Sequence, residues 1–140
     1  MILLDTNVVS EPLRRLPNPR VIAWVDAQPL ETLYLSAITV AELRTGVALL
    51  PEGKRKAVLR ENLEQKILPM FVGRILAFDL ACTQACADLL AQTRTAGLAI
   101  GAADGYIAAI AAAHRFAVAT RDAGPFAAAS VSVINPWEEW

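Results

Sequence analysis

The sequence has few of the residues that build sulfur or imidazole metal sites. It contains one histidine, His114, and two cysteines, Cys82 and Cys86, in 140 residues. The cysteines are four residues apart in a predicted helix, where disulfide geometry is poor, so we expect two buried free thiols. Half of a metal site would be the alternative, but no second pair of Cys or His residues exists to complete it.

Excess charge and long apolar stretches are also missing. The formal net charge is −1, so no overall basic field marks a nucleic-acid partner, and any such contact needs a local patch. No basic segment precedes the first apolar run, which Asp5 interrupts, so we expect no signal peptide. Residues 99–113 are too short and too weakly apolar a stretch to span a membrane. With 55% hydrophobic and 19% charged residues, we expect one globular, cytoplasmic domain over residues 1–140.

Short apolar runs alternate with helical patterns along the chain. The strand-like runs are residues 1–4, 32–35, 74–78, 116–120 and 130–135. The helical patterns are residues 18–28, 36–50, 52–68, 80–97 and 102–114. This alternation predicts an α/β/α sandwich with a mainly parallel central sheet.

Residues at the helix ends sharpen these boundaries. Asn18 and Pro19 predict the start of the first helix, and Ser36 begins the second. Pro51 breaks the second helix, and Gly97 is a candidate for the left-handed position after the fourth. On the helix that begins at Ser36, apolar residues share one face; they are Val40, Leu43, Val47 and Leu50.

Four acidic residues stand apart from the others, which lie where solvent is easy to reach. Asp5 follows the first strand and Asp122 follows the fourth, while Glu42 lies on a helix face with Ile38, Thr45 and Leu49. Asp104 lies in the first turn of the last predicted helix, where the helix dipole favours an anion.

Each acid alone has an ordinary explanation. Asp5 could cap a turn, Glu42 could pair with a basic residue, Asp104 could be plain helix-start charge, and Asp122 could be held by Arg121 or by turn amides. Together the four acids indicate one shared site, because the carboxyl ends of parallel strands share one sheet edge. Four carboxylates at that edge repel one another, and a hard divalent cation such as Mg²⁺ or Mn²⁺ relieves the repulsion.

The same stretches resemble a known family. In order, "LLDTN", "SAITVAELRTGV", "AADGYIAAIA" and "VATRDAGPF" are similar to the motif series of PIN-domain ribonucleases, and in particular of VapC-type toxins. The opening "MILLDTNVVSEPLR" and the ending "NPW" are similar to the FitB branch of these toxins. The resemblance covers essentially the whole chain.

The resemblance implies a magnesium-dependent endoribonuclease, with Mn²⁺ as a possible substitute, that acts as the toxin of a type II toxin–antitoxin module. The partners it implies are an RNA substrate, a second copy of the chain in a homodimer, and a cognate antitoxin of the ribbon-helix-helix type. Promoter DNA would be bound through that antitoxin, a higher toxin–antitoxin assembly could form, and no membrane is involved. The family's acidic quartet and its hydroxyl residue fall on Asp5, Glu42, Asp104, Asp122 and Thr120.

Metal chemistry explains why these residue types are useful. We expect Asp5 and Asp104 to be direct ligands, since both emerge at the sheet edge, and Glu42 and Asp122 to act through water or on a second ion. Thr120 either binds a water of the ion or is an ordinary β-branched strand-end residue.

Other polar residues have less certain roles. Asn7 either orients Asp5 or caps the next helix, and we favour capping. Arg44 and Arg121, which lie near the acids, are candidates for phosphate contact or ion pairing. A group of basic residues in one helical stretch is more simply a solvated face; it comprises Lys54, Arg55, Lys56, Arg60 and Lys66.

Three alternatives use the same kind of fold or surface. A receiver domain needs an acidic pair after the first strand and a late lysine, and a haloacid-dehalogenase-type phosphatase needs Asp-x-Asp at "DTN" and a late lysine. This chain has neither feature. The segment "DTN" contains a single aspartate, and no lysine follows Lys66. The third alternative is a catalytically silent scaffold that dimerises and holds a DNA-binding antitoxin for promoter regulation, and the intact acidic set argues against it.

Overall fold

The computed structural model describes residues 1–138, which form five strands and seven α-helices. The strands are β1 (Ile2–Leu4), β2 (Leu33–Ser36), β3 (Ile75–Leu76), β4 (Ala117–Ala119) and β5 (Val133–Ile134). The helices are α1 (Thr6–Ser10), α2 (Pro19–Ala27), α3 (Ala37–Ala48), α4 (Lys54–Glu61), α5 (Leu80–Thr95), α6 (Ala102–His114) and α7 (Ala123–Ala128). All five predicted strands are present, although each is shorter than its apolar run or shifted by one residue.

The strands form one parallel sheet in the order β3-β2-β1-β4-β5. The first strand is therefore the central one, with Leu3 opposite Tyr34 of β2 and Val118 of β4. Every connection between neighbouring strands must cross over a face of the sheet, and helices make these crossovers. The predicted α/β sandwich with a parallel sheet is confirmed.

Alternate residues of the strands feed two apolar cores, one on each face of the sheet. Leu4 and Ala119 pack with α1, α2 and α3 on one face, whereas Leu3 and Val118 pack with α5, α6 and α7 on the other. A central strand that is buried on both faces must be apolar throughout, which explains the run at residues 1–4. Cys82 and Cys86 belong to the second core as free, buried thiols, as predicted.

The predicted helix ends are also present. The Asn18 side chain accepts a hydrogen bond from the backbone N–H of Arg20 at 2.9 Å, so α2 begins as expected. The Ser36 hydroxyl accepts one from the backbone N–H of Thr39 at 3.0 Å and caps α3. Gly97 follows α5 with φ of +73°, a conformation that glycine adopts without strain.

Three helical segments differ from the prediction. The single helix expected at 52–68 is α4 followed by a π-helical segment, Asn62–Ile67, and a 3₁₀ turn, Leu68–Phe71. Leu63 and Leu68 are both buried although five residues apart, a spacing that suits the wider π turn better than one face of an α-helix. The short helices α1 and α7 were not predicted, because each is too brief to show an apolar period.

Within the described residues, no helix combines the length and the apolar character needed to cross a bilayer.

The cap at Ser36 gives a test of how α3 is anchored. Its side chain is fully buried, so Ser36→Ala leaves the N–H of Thr39 without its partner and without access to water. We expect the free energy of unfolding to fall by about 1 kcal/mol, measured by urea denaturation. Ser132→Ala is the control, because Ser132 is exposed and its hydroxyl forms no hydrogen bond within residues 1–138. Equal effects of the two substitutions would contradict the assigned cap.

Candidate active site

The four singled-out acids line one cavity at the carboxyl edge of the sheet. The cavity has a volume of about 310 Å³. Its lining residues are Asp5, Thr6, Asn7, Ser10, Glu42, Asp104 and Asp122. The site therefore gathers side chains from the ends of β1 and β4 and from α1, α3 and α6. Thr6 and Ser10 were not singled out in the sequence, where only their position just after the strand-end Asp5 could have indicated them.

Asp5 is the most deeply buried of these acids, with 4% of its surface exposed. Its Oδ1 accepts a hydrogen bond from the backbone N–H of Thr6 at 2.8 Å, and its Oδ2 accepts one from the Thr120 hydroxyl at 2.8 Å. Burial nevertheless raises the pKa of Asp5 to about 6; the two hydrogen bonds lower this pKa, and the charges of Asp104 and Glu42 add to the increase. The carboxylate form is therefore held in an environment that disfavours its charge.

Asn7 orients the acids, and our preference for a capping role was wrong. Its Nδ2 lies 3.4 Å from Asp5 Oδ2, 3.3 Å from Thr120 Oγ1 and 3.5 Å from Asp122 Oδ2. The cap of α1 is instead the side chain of Asp5. Because α1 starts directly after β1, its first turn carries Asn7 back over the edge where Asp122 lies.

Glu42 reaches the cavity from the exposed side of α3. Its Oε1 accepts a hydrogen bond from the Thr6 hydroxyl at 2.7 Å. Two of the residues that the sequence places on the same face as Glu42 are exposed: Thr45, and Leu49 at 80%. No ion pair of Glu42 with a basic residue occurs within residues 1–138.

Asp104 and Asp122 complete the acidic group. Asp104 is half-buried in the first turn of α6, and burial raises the pKa of its carboxyl, with the charges of Glu42 and Asp122 acting in the same direction. Asp122 is exposed, and its backbone N–H donates to Thr120 Oγ1 at 3.0 Å. The fully buried Thr120 hydroxyl thus links the backbone of one acid to the side chain of another.

The chemistry of this donor set fits a hard divalent cation. All available donors are oxygens, and within the described residues none of the four carboxylates forms an ion pair with a basic side chain. No three His, Cys, Asp or Glu side chains among residues 1–138 are spaced to enclose an ion by themselves. Mg²⁺ takes oxygen ligands, keeps several waters and needs only one or two carboxylates directly.

Of the five basic residues predicted to form a solvated face, four are exposed; they are Lys54, Arg55, Arg60 and Lys66. Only Lys56 departs from this prediction. Lys56 is buried, and its Nζ donates to the carbonyl of Ala48 at 3.1 Å and to Glu52 at 2.7 Å, so it holds α4 against the end of α3. Arg44 forms a two-point ion pair with Glu64, at 2.8 Å and 3.0 Å. Of the two expected roles for Arg44, the structure shows ion pairing.

An apolar groove adjoins the acidic cavity and shares Thr6, Ser10 and Glu42 with it. Its volume is about 340 Å³, and it runs between α1 with the segment that follows it, α3 and α4. The other lining residues are Leu13, Arg14, Leu43, Gly46, Val47, Leu50, Arg55 and Leu59.

Comparisons with known proteins agree with this architecture. The family model of the PIN domain matches residues 2–131. The chain is 67% identical to the plasmid stability protein StbB of Pseudomonas syringae pv. tomato and 58% identical to the VapC ribonuclease Y4jK of Sinorhizobium fredii, in each case over 138 residues covering 99% of both chains. It is 61% identical to the toxin FitB of Neisseria gonorrhoeae over 139 residues, 99% of this chain and 100% of FitB.

A solved structure shows the same fold. The structure of FitAB bound to an IR36 DNA fragment has a chain that matches with a TM-score of 0.97 and 59% identity, covering 100% of this chain and 98% of that one. The match of the family model over most of the chain and the identity to full-length relatives carry the same conclusion as the motifs. The chain belongs to the PIN-domain family, in the branch of VapC-type toxins.

Proposed function

We propose that the protein is a metal-dependent endoribonuclease, the toxin of a type II toxin–antitoxin module, acting in the cytoplasm. The observation that carries this proposal is the convergence of four carboxylates without a basic partner, among the described residues, on one cavity at the carboxyl edge of the sheet. The relatives named as a VapC ribonuclease and as a toxin, at 58% and 61% identity, support it.

The acids would hold the ion in two ways. Asp5 and Asp104 would be direct ligands, and Glu42 and Asp122 would hold it through intervening water. Asp5 offers its carboxylate at a fixed angle, because both of its oxygens accept short hydrogen bonds from neutral groups. A bound Mg²⁺ or Mn²⁺ would supply a nucleophilic water and neutralise charge on the scissile phosphate of RNA.

Neutral side chains around the acids would keep that geometry. Thr120 positions Asp5 through a 2.8 Å hydrogen bond, which favours a positioning role for this hydroxyl over the plain strand-end role. Thr6 fixes Glu42, and Asn7 spans the gap between Asp5 and Asp122. None of these neighbours carries a charge that would compete with a cation for the carboxylates.

The proposed partners follow the family. They are a homodimer, a ribbon-helix-helix antitoxin, and promoter DNA bound through that antitoxin. Binding of DNA by the toxin–antitoxin pair is supported by the relative FitAB, whose structure contains a DNA fragment. The apolar groove beside the acids offers a surface for the antitoxin's C-terminal segment, since it leads from α4 to the rim of the cavity at Glu42. An arginine from that segment would bridge two carboxylates with its planar fork.

Replacing the most buried acid tests the nuclease. We expect Asp5→Asn to lower kcat/KM for RNA cleavage in Mg²⁺ by at least about a thousandfold, because a direct ligand is lost while the side chain keeps its shape. Circular dichroism should show an intact fold. Asp26→Asn is the matched control, since Asp26 is exposed on α2, away from the acidic cavity. Cleavage by Asp5→Asn at the wild-type rate would remove Asp5 from the ligand set.

The raised pKa of Asp5 predicts how stability depends on pH without metal. The folded protein holds a proton up to a pKa of about 6, whereas the unfolded chain releases it near 3.8. The contribution of this proton to stability is present below pH 3.8 and is lost as pH rises through about 6. We expect the wild type to lose about 3 kcal/mol of unfolding free energy relative to Asp5→Asn over this range, measured by urea denaturation in EDTA. Parallel pH profiles of the two proteins would refute the assigned pKa.

Competition between metal and antitoxin tests the role of the groove. If an arginine of the antitoxin's C-terminal peptide lies among the acids, raising Mg²⁺ should weaken inhibition of cleavage by that peptide. Replacing the arginine with alanine should weaken inhibition at low Mg²⁺, by about tenfold for a charge-assisted contact. Inhibition constants measured at several Mg²⁺ concentrations give the comparison. Inhibition that ignores both changes would mean that the antitoxin acts elsewhere, by blocking RNA entry or breaking the dimer.

A further inference from the structure

A second group of side chains lies at the same sheet edge as the acids. It consists of Arg121, Trp137 and Arg20, and we call it the arginine–tryptophan patch. The guanidinium carbon of Arg121 lies 5.2 Å from the centroid of the Trp137 ring, a cation–π contact. Arg20 Nη1 lies 3.5 Å from the carbonyl oxygen of Trp137. Two exposed cations thus contact one residue, Arg121 at the ring of Trp137 and Arg20 at its backbone carbonyl.

The parallel sheet places this patch beside the cavity. Trp137 follows β5 as Asp122 follows β4, and these neighbouring strands run in the same direction. The backbone N–H of Trp137 donates to Asn135 Oδ1 at 3.0 Å, and the half-buried ring packs against the core on the α1–α3 face. Trp137 is therefore a fixed platform for the Arg121 side chain.

Arg121 is also tied to the acidic cavity through its backbone. It stands between Thr120 and Asp122 in the sequence, and its backbone N–H donates to Asn7 Oδ1 at 3.3 Å. The same Asn7 side chain contacts Asp5 and Asp122. The backbone of Arg121 is therefore linked to the acids through Asn7, and the Trp137 ring contacts the Arg121 side chain.

The charges around the cavity suggest a role for this patch in attracting RNA. The acidic cavity repels the phosphates of RNA, and with a net charge of −1 the protein has no general basic field to overcome this. Several other basic residues are used within the fold, since Arg14, Arg44 and Lys56 form ion pairs with Glu11, Glu64 and Glu52. Neither Arg121 nor Arg20 forms an ion pair within residues 1–138.

We propose that the arginine–tryptophan patch binds the RNA backbone next to the scissile phosphate. Arg121 contacts a flanking phosphate, Arg20 contacts one further along, and Trp137 is a positioning residue that holds the Arg121 guanidinium in place. This role rests on the proposed ribonuclease function. An arginine suits it, because the planar guanidinium can stack on a ring while its N–H groups bind phosphate oxygens.

Binding and cleavage by matched variants test the patch. The binding probe is a fluorescein-labelled, random-sequence, short single-stranded RNA, followed by anisotropy in EDTA at several salt concentrations. Cleavage in Mg²⁺ gives KM and kcat separately. The variants are Arg121→Gln, Trp137→Leu and Trp137→Phe, with Arg115→Gln as the control for loss of one exposed arginine. Arg115 lies between α6 and β4, at the opposite edge of the sheet.

Arg121→Gln should weaken RNA binding and raise KM about tenfold, as expected for one charge-assisted contact, with kcat little changed. The slope of log affinity against log salt should fall by about 0.7 for the lost phosphate contact. Trp137→Leu should weaken binding in the same direction, and Trp137→Phe should restore it, because a phenyl ring still offers a face to the cation.

Equal effects of Arg121→Gln and Arg115→Gln on binding and salt slope would overturn the proposal. So would equal effects of Trp137→Leu and Trp137→Phe, or a loss of kcat with unchanged KM. The binding measurement needs no chemistry, so it separates the two proposals. A wild-type protein that binds RNA and does not cleave it in Mg²⁺ would contradict the ribonuclease function, while the patch would still be judged by the binding of its variants.

Discussion

The burial of one carboxylate, Asp5, at the end of the central strand is the constraint on which the site depends. A charged group in that position needs compensation, and residues 1–138 supply it with neutral donors, the N–H of Thr6 and the hydroxyl of Thr120. These donors reduce the free-energy cost of burying the charge without removing it, so the pKa of Asp5 remains raised. A basic neighbour would have stabilised the carboxylate and occupied the place of a cation. The fold thus keeps Asp5 oriented and electrostatically unsatisfied.

The strand order explains why the other acids meet Asp5. β1 lies between β2 and β4, so the segments that leave these three strands start from one edge. α3 follows β2 and carries Glu42, and the loop after β4 carries Asp122. α6 must return the chain to the start of β4, so its first turn, with Asp104, lies at the carboxyl edge. Ligand sites in parallel sheets collect at such edges because crossover connections bring helix ends and loops together there.

Sequence patterns predicted the strands, the longer helices and the convergence of the acids, because each depends on local chemistry or on the direction of parallel strands. Asn7 shows where this reasoning fails. Asparagine after a strand is a common cap, and its true contacts join residues 113 and 115 positions apart. The prediction that Lys56 is solvated fails for the same reason. Its helix is amphipathic and basic, but the contact of Lys56 with Ala48 depends on how α4 packs against α3. Long-range pairing of this kind leaves no periodic signal in the chain.

The stability needed to bury Asp5 comes from the strand that carries it. Raising a carboxyl pKa from 3.8 to about 6 corresponds to about 3 kcal/mol of destabilisation at neutral pH. Leu3 and Leu4 are 0% and 2% exposed and pack into different cores, and each fully buried leucine contributes about 1.5–3 kcal/mol. The two leucines therefore offset the buried acid within one strand. This balance explains why the apolar run leads directly into an aspartate: a strand buried on both faces supplies apolar burial that offsets the carboxylate at its end.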